Sequence, residues 1–230
     1  MGFGFRCSEE CGTKGPPMEK KPKPYHDAPR IPRRPREGGG EIIDVRAVVA
    51  GEWIELEIGP GRGNFLFERA ATEPRAALIG MEVRRKWAAL VDARLGKLGL
   101  AKRARCFAED AKEALPACTP DGSVRRVYLL FPDPWWKKRH QKRLVMGDVF
   151  LDSIARLLEP GGELFVETDV EERAEQYRAR IAEDARFVPF GDEAGSPMLR
   201  ENPYGARTNR EHRAIKDGLP VHRMRWKRAA

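Results

Sequence analysis

Short apolar runs recur along the chain, each followed by a turn and then by an amphipathic stretch, and this recurrence narrows the possible folds more than any other feature. The runs are WIELEI (53–58), AALIGM (76–81), ARCF (104–107), RVYLLF (126–131) and ELFVET (163–168). After the first, a Gly-rich turn leads into a helix through Phe65, Phe67 and Ala70. After the second, Trp87, Leu90, Val91, Leu95 and Leu98 fall at helical spacing and predict one apolar face. A helix through Phe150, Ile154, Leu157 and Leu158 precedes the fifth run, and Pro160-Gly161-Gly162 closes that helix. A helix over roughly 170–185 and late strands near FVPF (187–190) and VHRMRW (221–226) complete the pattern. Strands alternating with helices predict βαβ units, hence an α/β fold with a mostly parallel sheet and right-handed crossovers.

The N-terminal stretch 1–40 breaks this pattern. It holds seven Pro and seven Gly with scattered charge and ends at Gly38-Gly39-Gly40, which predicts a disordered extension before a single domain over 41–230. Charge is uneven as well. Of the formal +8, residues 1–40 contribute nine Lys/Arg against five Asp/Glu, and 200–230 contribute nine against three. Basic ends around a balanced middle suit a polyanionic partner, because clustered cations displace counterions from phosphates. Cys7, Cys11, Cys106 and Cys118 make no disulfide framework in a chain of this length, which fits a reducing cytoplasm. Cys7 and Cys11 near His26 resemble half a zinc site, with no second pair after them. No run approaches the roughly 20 apolar residues of a membrane span.

In open α/β sheets ligands bind beyond the carboxyl ends of the strands, at the point where strand order reverses. The residues just past each strand are therefore the candidates. After the first strand stand Glu57-Ile58-Gly59-Pro60-Gly61-Arg62-Gly63-Asn64. Alternate glycines permit a sharp turn and a close backbone approach, while Glu57 offers an acceptor. The third glycine is misplaced for the dinucleotide pattern G-x-G-x-x-G, which favours a ligand without a pyrophosphate. Glu82 follows the second strand and is placed to accept both hydroxyls of a ribose. Glu109-Asp110-Ala111 follows the third, where an acid could accept from an adenine amino group or simply cap a helix. The set describes an adenosine pocket.

At this point the chain resembles the S-adenosylmethionine-dependent methyltransferases, and its fold is expected to be the Rossmann-like sheet of their class I type. The fourth strand narrows the likeness. LLFPDPWWKKRH resembles the F-P-D-P-W-x-K-x-R-H signature of the tRNA (guanine-N7-)-methyltransferase family, and the similarity continues through Glu167-Thr168-Asp169. It spans roughly Ile54 to Arg228. The resemblance implies methyl transfer from S-adenosylmethionine to N7 of a guanine, in the family the one at nucleotide 46 of the tRNA variable loop. It also implies that Glu57, Glu82, Asp110 and Asp133 contact the cofactor, and that Lys137 and Asp169 hold the RNA or its target base. A late T-K-[FY]-E motif of the family is matched by Thr208-Asn209-Arg210-Glu211, where Thr208 and Glu211 are kept and Asn209 and Arg210 depart.

Guanine N7 carries a free lone pair, so no proton must be removed before it attacks the methyl group. Catalysis then rests on aligning nucleophile, methyl and sulfur, and good orientation supplies about 7–11 kcal/mol of a barrier. Asp133, held between Pro132 and Pro134, suits an acceptor for the guanine N1–H and N2 amino donors. Trp135 and Trp136 either stack on bases or belong to the core. Lys138, Arg139, Lys142 and Arg143 suit a phosphate clamp. No obligate protein partner is evident, and a monomer and a homodimer both remain open. Two other readings are a methyltransferase of another RNA and an inactive RNA-binding module of the same fold. The absence of N-P-P-Y at the fourth strand disfavours adenine or glutamine amide nitrogen as acceptor.

Overall fold

The computed structural model describes Met1 and residues 25–132 and 145–230. Its elements, in chain order, begin with β1 (Arg34–Pro35), β2 (Glu41–Asp44), β3 (Trp53–Ile58), α1 (Asn64–Thr72), β4 (Ala76–Met81), α2 (Arg85–Lys97) and β5 (Ala104–Phe107). The middle of the chain supplies α3 (Ala111–Ala114), β6 (Cys118–Thr119), β7 (Val124–Leu130), α4 (Asp148–Leu157) and β8 (Leu158–Thr168). The last quarter supplies α5 (Glu171–Ala182), β9 (Phe187–Pro189), β10 (Met198–Leu199), α6 (Asn209–Lys216) and β11 (His222–Arg228). The main sheet runs β10-β11-β8-β7-β3-β4-β5, with β9 also paired to β11. Strands β5 to β8 along that path are parallel, and β11 lies antiparallel to β8. The α/β expectation holds, and the strands at 53–58, 76–81 and 104–107 begin and end where their apolar runs do. Among the described residues no helix is long and apolar enough to cross a membrane.

The two-residue period of the strands sorts the core into two faces. Leu56, Ile58, Ile79, Val127, Leu129 and Val166 share the larger cluster with α4, α5 and the N-terminal segment. On the opposite face, α1 and α2 cover Ala76, Leu78 and Ala104, and the rings of Phe65, Tyr128, Phe165 and Tyr204 close the remainder. That second face also buries Glu55, a carboxylate on the central strand. Its two oxygens accept from Arg69 Nε and Nη2, Arg126 Nη1, Trp53 Nε1 and the Tyr128 hydroxyl, all at 2.8–2.9 Å. A buried charge is tolerable only when it is paired and hydrogen-bonded in this way.

Three expectations require correction. The extension thought to be disordered to residue 40 packs from Ala28 onward: Ile31 is 2% exposed in the main core. In addition, β1 pairs with β2, which pairs with β6 in a small three-stranded sheet. Ile31 in the core, with Arg30, Arg33 and the Ile31 N–H all bound to the buried Glu109, anchors a segment whose average composition hides these contacts. The apolar face of α2 is narrower than the spacing predicts, comprising Ala88, Val91 and Leu95, with Leu90 and Leu98 exposed. Val91 on that face packs against the glycine turn, where a Cβ on Gly63 would stand 2.6 Å from Val91 Cγ1. Finally, Pro160-Gly161-Gly162 does not close the helix, which already ends at Leu157 with β8 beginning at Leu158; it is an irregularity inside that strand.

Candidate functional site

Strand order reverses at β3, which has β4 on one side and β7 on the other. Beyond this point lies a cleft of about 560 Å³, lined by Ile58, Gly59 and Gly61 after β3, by Met81 to Arg84 after β4, and by Glu109 to Lys112 after β5. Leu129, Leu130, Phe131 and Pro132 close it on the β7 side, with Val145 beside them. Gly59 and Gly61 have φ of +74° and +57°, the left-handed region where a side chain would strain the turn. A Cβ at either would meet nothing within 4 Å, so their lack of a side chain leaves space over the cleft. The third glycine serves packing against α2 instead.

Glu82 shapes this turn from across the strand boundary. Its Oε2 accepts from Gly61 N–H at 2.9 Å and its Oε1 from Arg84 N–H at 2.8 Å. Each oxygen keeps a second lone pair for a hydroxyl of a ligand. Asp110 also does double duty: its Oδ1 accepts from Lys112 N–H as the cap of α3, and it lines the cleft. Glu57 differs from both. It is buried at the end of β3, and Oε2 has no hydrogen-bond partner among the described residues. Burial, and then the charge of Glu82, push its carboxyl up to about 8. A buried carboxyl oxygen without a partner keeps unused accepting capacity, and a cationic donor would satisfy it.

The sequence does not single out Val83, and it marks Glu109 only as a candidate acid beside Asp110, not as an anchor for the N-terminal segment. Val83, 64% exposed although apolar, stands directly after Glu82 and offers a flat face to a ring. Glu109 is buried and holds Arg30 at 3.1 Å, Arg33 at 2.6 Å and the Ile31 N–H at 3.1 Å, tying the N-terminal segment to the end of β5. Val83 had a signal, being an apolar residue between a strand-end acid and a run of bases; for Glu109, partners some 76–79 residues away left none.

The β7 corner continues into 133–144. Asp133, Trp135, Trp136, Lys137, Lys138, Arg139, Lys142 and Arg143 lie outside the described residues, as do Cys7 and Cys11. On the neighbouring strand end, Asp169 Oδ2 accepts from Arg210 Nε at 2.8 Å. The late motif is held inside the protein. Thr208 caps α6 by accepting from Glu211 N–H at 3.0 Å, and Glu211 is fully buried, bound by Arg223 Nη2 at 2.9 Å and Asn202 Nδ2 at 3.1 Å. Neither is among the residues lining the cleft. Glu167, beside Glu211, is raised well above the usual carboxylate range by burial and by that neighbour's charge.

A sheet of five parallel strands flanked by the antiparallel β11, with acids at three successive strand ends around a glycine turn, defines the class I methyltransferase fold. The solved 16S rRNA methyltransferase KamB shares it at TM-score 0.53 and 16% identity, over 80% of this chain and 91% of that one. So does the [4+2]-cyclase SpnF, at 0.52 and 16%, over 81% and 79%, so the fold alone leaves the chemistry open. Sequence comparison goes further. A family model described as putative methyltransferase matches residues 52–224. The tRNA (guanine-N(7)-)-methyltransferase of Alcanivorax borkumensis is 36% identical over 176 residues, 76% of this chain and 72% of its own length. Those of Myxococcus xanthus (34%, 75% and 82%) and Trichormus variabilis (33%, 76% and 81%) are similar to the same extent. The chain belongs to the tRNA (guanine-N7-)-methyltransferase family.

Proposed function

We propose that the protein methylates N7 of a guanine in tRNA, specifically guanine 46 of the variable loop, with S-adenosylmethionine as donor. The observation that carries the cofactor half is Glu57: a buried carboxyl with an unpartnered oxygen, at the switch point, beside a glycine turn open to a cleft large enough for a nucleoside. In this reading Glu57 accepts from the cationic end of the cofactor and Gly59 and Gly61 let the backbone approach it. Glu82 takes the ribose hydroxyls, Asp110 the adenine amino group, and Val83 one ring face. The bound cofactor supplies an electrophilic methyl group on a sulfonium sulfur.

The guanine half rests on family membership and on the chain's own acids. A neutral guanine needs no base, and among the described residues lining the cleft there is no His or Cys. Asp133 and Asp169 orient the base through its Watson–Crick donors, and Lys137, Lys138, Arg139, Lys142 and Arg143 hold phosphates. Thr208 and Glu211 support the substrate side from inside the fold, given their buried partners.

The test is direct. Protein, labelled cofactor and bulk tRNA are incubated, and the RNA is cleaved with borohydride and aniline, which act at N7-methylguanine. Cleavage after nucleotide 46 is expected. Cleavage elsewhere would retain the activity and move the site, while label without cleavage would mean another target atom.

A further inference from the structure

The first turn of α6 commits three side chains to the substrate end of the sheet. Thr208 caps the helix and Glu211 reaches the buried Glu167 and Arg223. Between them, Arg210 touches two different strand ends. Its Nε donates to Asp169 Oδ2 at 2.8 Å, just past β8, and its guanidinium carbon lies 5.8 Å from the centroid of the Phe131 ring, just past β7. Phe131 is itself held in an unusual state. Its φ of +47° is a left-handed backbone that a bulky residue seldom adopts, and its N–H donates to the Glu167 carbonyl at 2.8 Å. Phe131 is thus fixed at the point where β7 leaves the sheet.

This arrangement contributes little to stability. Arg210 is 45% exposed and Asp169 17%, so water screens the pair, and the ring contact is near the outer limit for a cation over an aromatic face. Direction is what it supplies. Arg210 fixes Asp169 Oδ2, while Oδ1 carries no hydrogen bond among the described residues and stays available as an acceptor. Arg210 thus joins two strand ends, lying over Phe131 and holding Asp169.

We propose that Arg210 is a positioning residue for the target base, setting the Asp169 carboxylate and Phe131 relative to each other. The identity of that base rests on the guanine reading above. The test compares wild-type protein and Arg210→Ala by steady-state kinetics on tRNA and by hydrogen exchange of the Phe131 amide. Turnover should fall about tenfold or more while KM for tRNA stays within about twofold, because alignment rather than binding is lost. The Phe131 amide should exchange about tenfold faster, with amides of β4 and β5 unchanged. Arg210→Lys, which keeps the charge on Asp169, should recover part of the turnover. Arg210→Gln serves the same comparison should the alanine variant be unstable.

Three outcomes overturn the proposal. One is intact turnover with a raised KM and a salt slope lower by about one unit, which would make Arg210 a phosphate contact. The second is unchanged turnover and unchanged exchange. The third is lost turnover without faster exchange at Phe131. If wild-type protein yields no N7-methylguanine yet exchange quickens in Arg210→Ala, the guanine reading fails and the bracket stands for a different substrate.

Discussion

Glu55 and Glu57 stand two residues apart on the central strand, share one face of the sheet and are both almost fully buried, yet they are opposite kinds of carboxylate. Burial works against ionisation of Glu55, but hydrogen bonds and charge from Arg69, with Trp53 and Tyr128 assisting, outweigh it and hold the carboxyl below its ordinary range. Glu57 meets the same burial with the like charge of Glu82 nearby and rises to about 8. Burial alone thus distinguishes nothing. Partners decide whether an interior acid braces the fold or awaits a ligand.

The largest effect expected from this contrast is at Glu55. Replacing it with Gln leaves Arg69 and Arg126 facing a neutral amide, and losing one partner of a buried pair costs about 3–5 kcal/mol. Denaturant unfolding should show that loss, and a change under about 1 kcal/mol would erase the contrast. Its pH dependence follows from the lowered folded value: the stabilisation is present above about 4.5 and is lost as pH falls through the folded value. Glu57 has the opposite sign. Its folded value lies above its unfolded one, so the folded protein retains a proton that the unfolded chain releases. Stability should fall by up to about 1.4 kcal/mol per pH unit between roughly pH 4.5 and 8. Glu57→Gln should flatten that slope and weaken cofactor binding, and a slope that survives the substitution belongs to another group. With the cofactor, ionisation of Glu57 should release close to one proton near pH 7, visible as a buffer-dependent heat in calorimetry.

How much of this could be read in advance depends on how far apart the partners lie. Strand 76–81 was legible because a parallel strand buried on both faces is a nearly continuous apolar run, and 53–58 and 104–107 because short segments rich in apolar residues are bounded by turn signals. The acids of the cleft were legible for the same local reason, since Glu57, Glu82 and Asp110 sit at or just past strand ends. The role of Glu55 was not, because Arg69, Arg126 and Tyr128 come from 14, 71 and 73 residues away. Thr208 and Glu211 could be matched to a motif, but their use as cap and buried counter-ion depends on a local backbone bond and on Arg223. The narrow apolar face of α2 was hidden because Ala88, rather than the larger Leu90, is buried.

Glu109 extends the contrast to a third case, with a smaller effect. It is as buried as Glu57, but its partners arrive from a segment whose composition looks disordered: Arg33 at 2.6 Å, Arg30 at 3.1 Å and the Ile31 N–H. Because Arg33 is only partly buried and Glu109 keeps two other donors, Arg33→Ala should cost about 1 kcal/mol, near the upper end for a screened pair. Removing residues 1–24 should cost less still, whereas removing 1–40 also strips Ile31 from the core and should cost about 2 kcal/mol or more. The two truncations, compared by thermal unfolding with and without cofactor, separate the tail from the strap. If both behave alike, Glu109 is satisfied by something other than the strap, and its likeness to Glu55 fails. If only the longer truncation weakens cofactor binding, the strap keeps Glu109 in the structural class of carboxylate, leaving its neighbour Asp110 free to face the ligand.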